Sequence, residues 1–190
     1  NVIHDYTETI EGLSAFRGSK YVQSNINRSF FKVKTFLESG RNVLFSGTPC
    51  QVAGLKLFLR KNYDNLLTLE IVCHGVPSRN VWRNYLKELI DLKKISNIKS
   101  INFRDKKYGW NGYNFSITYI KKKGKLVTLS MPHGENSFYR GFLNHLYVRP
   151  SCYQCPAKSG RSKADITIAD FWGIDKLYPS LDDNRGYSIV

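Results

Sequence analysis

Four cysteines stand where side chains from distant parts of the chain can converge on one centre. Cys50 lies in Ser46-Gly-Thr-Pro-Cys-Gln51, and Cys73 in Ile71-Val-Cys-His-Gly-Val-Pro77. Cys152 and Cys155 form a CxxC pair in Pro150-Ser-Cys-Tyr-Gln-Cys-Pro156. Each is close to glycine or proline at the end of an apolar run. Four thiolates are the ligand set of a cubane iron–sulfur cluster. They are also the ligand set of a structural zinc. Two disulfides are a weaker reading, because no secretory signal opens the chain and it is no small disulfide scaffold. Four unrelated buried thiols are a further reading, since free cysteine packs well in cores. Structural zinc usually takes two close pairs, and only one CxxC is present. Proline directly after the last cysteine, Cys155-Pro156, is a feature of ferredoxin cluster loops. The balance favours iron–sulfur and leaves zinc open. A thioredoxin-type CxxC is disfavoured, because Cys152 and Cys155 follow Arg149-Pro150 and are expected to open no helix.

The elements that must position these thiols follow from periodicity. Residues 18–24 read as a short strand. Apolar residues at Phe30, Val33, Phe36 and Leu37 predict a helix over 27–39, stopped by Gly40. Asn42-Val-Leu-Phe45 is a buried strand, followed by a tight turn and a helix over 49–61 with proline in its first turn. A strand over 66–72 precedes a helix over 78–94, capped by Ser78. This β-α-β-α order predicts a parallel sheet. Strands are then expected over 98–104, 113–120 and 126–131, the last two joined as a hairpin through Lys121-Lys-Lys-Gly124. A helix over 137–147 leads into the CxxC loop, and a strand over 164–169 into Asp170-Phe-Trp-Gly173. The fold class is therefore α/β, a mostly parallel sheet flanked by helices with an inserted antiparallel β-hairpin. In a parallel sheet, ligands bind at the carboxyl edge. Cys50 and Cys73 both follow strands, so they are expected to meet there.

Other residues could hold a ligand at that edge. The turn Gly47-Thr48-Pro49, with Gln51 after it, points backbone N–H groups outward at a helix start, which suits a phosphate. It also places Cys50 where the helix dipole favours a thiolate. The plain alternative is a tight turn with no ligand, since no dinucleotide fingerprint is present. Arg104, in Phe103-Arg-Asp-Lys106, and Trp110, in Gly109-Trp-Asn-Gly112, could clamp a cofactor's phosphates and cover its ring. They read equally as a charged hairpin loop. His74 reads as a packed loop residue. Asp165 and Asp170 read as turn caps or as ribose acceptors. No Ser-His-Asp set, glycosidase carboxylate pair or metal-hydrolase helix stands out, so redox chemistry is expected over hydrolysis.

Composition narrows the partners. Lys and Arg number 29 against 15 Asp and Glu, a net charge of +14. So basic a chain suits an acidic partner or a phosphorylated ligand. Much of the charge lies in solvated runs, and no aromatic-interleaved or helical nucleic-acid motif is present, so nucleic acid is not expected. No apolar run approaches the ~20 residues needed to span a bilayer. Reduced thiols point to the cytoplasm.

Six ordered motifs carry a resemblance over nearly the whole chain: Phe16-Arg-Gly-Ser-Lys-Tyr-Val-Gln-Ser24, Phe45 to Leu55, Val72-Cys-His-Gly-Val-Pro-Ser78, Phe103 to Lys106 with Gly109-Trp110, Arg149 to Cys155, and Ala164 to Gly173. The chain resembles the beta subunit of coenzyme F420-reducing hydrogenases and dehydrogenases. Its nearest likeness is to a bacterial branch associated with surface-polysaccharide biosynthesis. The resemblance implies an iron–sulfur flavoprotein that passes electrons between a [4Fe–4S] cluster, FAD, and coenzyme F420 or another nicotinamide-like carrier. It makes FAD the expected flavin, and a ferredoxin, a ferredoxin-like domain or a redox partner subunit the expected partner. Members of this branch carry an N-terminal ferredoxin-like segment with its own cysteines, and this sequence has none. Residues 1–190 are therefore expected to form one cluster-and-flavin core domain of a longer protein. The alternative function is a zinc-stabilised or metal-free binding domain in polysaccharide biosynthesis, without redox activity.

Overall fold

A computed structural model describes residues 2–190. The first half builds a parallel sheet. Helix α1 (Ser29–Glu38) precedes strand β1 (Val43–Gly47), helix α2 (Pro49–Leu59) and strand β2 (Leu66–Ile71). Strand β6 (Ile166–Asp170) pairs parallel to β2 on its far side, and β7 (Ser188–Ile189) closes that edge antiparallel, giving the order β1-β2-β6-β7. Gly47 lies opposite Glu70, and Ile71 opposite Ile168, so the three parallel strands end together. This is the shared edge that the strand–turn–cysteine pattern required.

Alternation along β1 and β2 sorts the side chains by face. Val43 and Phe45, with Leu66, meet Val33 and Leu37 of α1 and Val52, Leu55 and Leu59 of α2. The opposite face carries Leu44, Leu67, Leu69 and Ile71, with Ile166 and Ile168 beside them. Leu44 is 62% exposed there, and Leu67 and Ile71 are also open. Helices thus cover one face, although parallel sheets are ordinarily covered on both.

The second layer is larger than the expected hairpin. Strands β3 (Ile95–Asp105), β4 (Asn114–Lys121) and β5 (Leu126–Pro132) form a separate three-stranded antiparallel sheet. Helix α3 (Arg79–Lys93) packs on β3, and Leu89, Phe103, Phe115, Ile117, Phe138 and Tyr139 build the second core. The extra strand belongs here because β3 runs on for eleven residues, long enough to pair along the hairpin.

Three local expectations change. Residues 18–24 form no strand. They are an irregular strap whose Tyr21 ring inserts edge-on against Phe103 and Tyr139. Side-chain anchoring replaces ladder pairing there, and Ser24 ties the strap down by accepting from Gln51 Nε2 at 2.8 Å. The helix after Asn136 is also shorter: α4 ends at Leu143, followed by His145 in the left-handed region. The CxxC segment in turn opens a single helical turn, α5 (Pro150–Tyr153), with proline in its first turn. No helix of the described residues is long and apolar enough to cross a membrane.

Candidate functional site

Cys50 is the second residue of α2, and the turn before it is built from local hydrogen bonds. Thr48 N–H donates to Gln51 Oε1 at 3.0 Å, one half of a capping box. The Thr48 hydroxyl also lies 3.3 Å from Cys50 Sγ. Pro49 is buried at the first helical position, and Gln51 is spent on Thr48 and Ser24. Gly47 pairs at the end of β1, beside Glu70 of β2.

Cys73 leaves the end of β2, and the chain there is bound to the CxxC segment. Ser78 N–H donates to Tyr147 O at 2.8 Å, and Arg149 N–H to Val76 O at 2.9 Å. Between them Pro77 bridges Val148. Gly75 sits at φ +130, where L side chains are strained. A Cβ there would lie 2.8 Å from Val148 and 3.5 Å from the Cys152 Cβ. Glycine is therefore required for the two cysteine segments to touch.

The four cysteines are free thiols, Cys50 exposed and the other three half-buried. Burial pushes the Cys73 thiol above its ordinary range, and the nearby Cys50, Cys152 and Cys155 push it further, against a lowering bond from the Gly75 backbone. Cys73 thus feels all three partners, which arrive on α2 and on the loop around α5. The side chains are not drawn to the spacing of a single ion: among the described residues no three His, Cys, Asp or Glu are grouped to hold one metal. His74 is exposed rather than packed, although its ring stacks on His145 at 4.5 Å and meets Phe142 edge-on at 5.1 Å. Burial lowers its pKa, helped by His145 and Lys158. A cavity of about 400 Å³ opens beside this pair, lined also by Cys152, Tyr153 and Lys158.

The CxxC loop is held to the sheet from behind. Ser162 Oγ donates to the buried carboxylate of Glu70, which also accepts from Thr167 Oγ1 at 3.0 Å. Asp165 Oδ2 accepts from both Thr68 N–H (2.7 Å) and Thr68 Oγ1 (2.6 Å). Those bonds hold the Asp165 carboxyl below the usual carboxylate range, with Lys56 contributing. Asp165 is therefore a strand tie.

Arg104 and Trp110 form a second group. Arg104 Nη1 donates to Asp170 Oδ2 at the end of β6, so the antiparallel layer is pinned to the edge of the parallel sheet. The guanidinium lies among the rings of Tyr113, Trp110 and Trp172. Burial opposes its charge, but the Asp170 bond and the Tyr21 and Asp170 fields leave its pKa raised. Its Nε and Nη2 are buried without partners among the described residues. Each such buried donor costs about 1–3 kcal/mol. Trp110 is only 3% exposed, packed on Trp172 at a ring distance of 4.2 Å, so its faces are already in use. Trp172, 58% exposed, presents the open ring here. Tyr21, Tyr113 and Asp170 complete the group. Only the aromatic types near Arg104 hinted at this, since the pairing of β3 with the β6 end is not legible in local sequence.

A search of curated proteins gives no match. Residues 40–190 match the family profile for the C terminus of the coenzyme F420 hydrogenase/dehydrogenase beta subunit. That span runs from β1 to β7 and takes in the three cysteine segments and all of the Arg104 group except Tyr21, so the chain belongs to the family of F420 hydrogenase/dehydrogenase beta subunits, a family of oxidoreductase components.

Proposed function

We propose that this chain is an electron-transfer domain in which Cys50, Cys73, Cys152 and Cys155 hold one [4Fe–4S] cluster and the adjoining sheet edge holds FAD. The observation that carries the reading is the convergence of three cysteine segments: β1 and β2 end together ahead of Cys50 and Cys73, and the chain after Cys73 is hydrogen-bonded to the CxxC segment through Val76–Arg149 and Ser78–Tyr147. A single zinc bound at about 2.3 Å would draw its sulfurs to within about 4 Å of one another. The cluster is preferred over zinc on the single CxxC pair and the Cys155-Pro156 step. Cluster and flavin together would supply one- and two-electron chemistry. The protein's share is placement. The Thr48 hydroxyl beside Cys50 Sγ orients that ligand. Gly75 admits the Cys152 segment, and Glu70 with Ser162 holds the loop that follows Cys155.

For FAD, the Gly47–Thr48–Pro49 turn at the start of α2 and the Arg104 group at the end of β6 bound the two ends of the same edge. Thr48 N–H and Gln51 are already paired and Trp110 is buried, so Trp172 is the open ring there. Electrons would arrive from a ferredoxin, a ferredoxin-like domain or a partner subunit, and leave to coenzyme F420 or another nicotinamide-like carrier. The family description names a beta subunit, so partner subunits belong to the reading. The net charge of +14 favours an acidic partner.

Anaerobic purification followed by iron, sulfide, zinc and flavin analysis tests this. Iron and sulfide near four per chain, with a broad brown absorption, is the expected result. Stoichiometric zinc, or colourless protein after reconstitution with iron and sulfide, would overturn it in favour of a binding domain without redox activity.

A further inference from the structure

One charged side chain is sealed from solvent yet incompletely bonded. The Arg104 side chain is 6% exposed, and only Nη1 is paired, with Asp170. Nε and Nη2 have no partner among the described residues. In a planar guanidinium these two nitrogens share one edge, and their N–H bonds run parallel. That edge grips two coplanar oxygens at once. Burial raises the pKa of the Tyr21 hydroxyl, and the charge of Arg104 and a loose side-chain contact with it act to lower it, but the hydroxyl does not meet hydrogen-bond geometry with Nε or Nη2.

The surroundings say what kind of acceptor fits. Tyr113 lies 4.6 Å from the guanidinium carbon, Trp110 5.5 Å and Trp172 5.6 Å. Ring faces attract the cation but leave its in-plane N–H groups without an oxygen acceptor. Trp110 is fixed: its backbone N–H donates to Asn184 O, and a Cβ on Gly186 would come within 2.2 Å of its ring. Trp172 is the exposed wall, and the next residue, Gly173, sits at φ +87. Of the walls, Trp172 is the one a ligand can displace.

We propose that Arg104 anchors a binding site for a planar carboxylate monoanion, covered by Trp172. Asp170 already supplies one negative charge to the guanidinium. A carboxylate adds one more and matches the Nε/Nη2 edge with both oxygens. A phosphate dianion adds two to a poorly hydrated box, where each uncompensated charge is penalised. The site lies at the end of β6, on the carboxyl edge that also carries Cys50 and Cys73. Its role as the seat of a carboxylate-bearing substrate rests on the oxidoreductase reading, whereas the binding itself rests on Arg104 alone.

The test uses benzoate and inorganic phosphate, titrated at constant ionic strength into the full chain by calorimetry, with tryptophan emission followed in parallel. Benzoate is expected to bind one per chain and to change the emission, and phosphate to bind at least ~10-fold more weakly. Arg104→Lys keeps the charge but loses the two-pronged edge, and should weaken benzoate at least ~10-fold. Trp172→Ala keeps the Arg104–Asp170 pair and should bind benzoate as tightly or more so. Should Arg104→Lys fail to fold, the ¹⁵N resonance of the wild-type Arg104 Nε–H decides, since bidentate binding must shift it on benzoate addition. Absence of benzoate binding, phosphate affinity equal to benzoate, an Arg104→Lys protein that binds as wild type, or an unmoved Nε–H resonance would each sink the proposal. None of these readouts depends on iron or flavin. Benzoate binding by a protein that carries stoichiometric zinc, or that stays colourless after reconstitution with iron and sulfide, would remove the redox reading and leave this site standing.

Discussion

At the residue scale, the cysteines differ from one another by environment, and that has consequences for the loaded protein. Cys73 is the central thiol, half-buried and influenced by the other three. Replacing any one of Cys50, Cys73, Cys152 or Cys155 with serine should lower the iron retained after anaerobic reconstitution several-fold, measured against sulfide in the same sample. His74→Ala should keep its iron, because His74 is engaged with His145 and Phe142. Iron loss in that variant equal to the cysteine variants would make His74 a ligand and displace one thiol from the proposed set.

At the element scale, two short contacts decide whether the thiol segments meet. Gly75 combines a positive φ with close approach to Val148. Gly75→Ala should cost about 1–3 kcal/mol in a denaturant titration. It should also reduce iron loading, since the Val76–Arg149 and Ser78–Tyr147 bonds would be pushed apart. Asp165 ties β6 to β2 through Thr68. Its carboxyl is held low in the fold, so its contribution is fully present above the unfolded value of about 3.9 and is lost as pH falls through the folded value. Asp165→Asn should therefore cost about 1 kcal/mol at neutral pH, the carboxylate being partly solvated. The gap from wild type should close as pH is taken below about 4. A gap that holds constant down to acid pH would show that the carboxylate charge contributes nothing.

At the scale of the whole molecule, the parallel sheet is two-faced. Phe45 lies under α1 and α2, whereas Leu67, on the other face, is open. Phe45→Ala should cost about 3–5 kcal/mol. Leu67→Ser should change stability by no more than about 0.5 kcal/mol in the isolated chain. A large loss for Leu67→Ser would mean that this face is covered in solution. The net charge of +14 adds a kinetic expectation. Association with an acidic electron-transfer partner, followed by stopped flow, should slow steeply as salt rises and the Debye length falls below about 10 Å.

Much of this molecule was legible locally. Hydrophobic periodicity placed β1, α2, β2 and α3 to within a few residues, because helix and strand periods are properties of short windows. The strand–turn pattern at Cys50 and Cys73 predicted a common edge, because parallel neighbours must end together. What no window contained was the meeting of remote segments. Trp110 and Trp172 are the same residue type beside glycine, yet Gly186 from the end of the chain buries the first and leaves the second open. Asp165 and Asp170 flank one strand, yet Thr68 claims the first and Arg104 the second. Residues 18–24 looked like a strand and became a strap, since Tyr21 found a pocket of rings while its backbone found no ladder. Element type follows from near-neighbour sterics and patterning. Which side chains are sealed, paired or left with unbonded donors follows from long-range packing, and that was decided only when the two sheets came together.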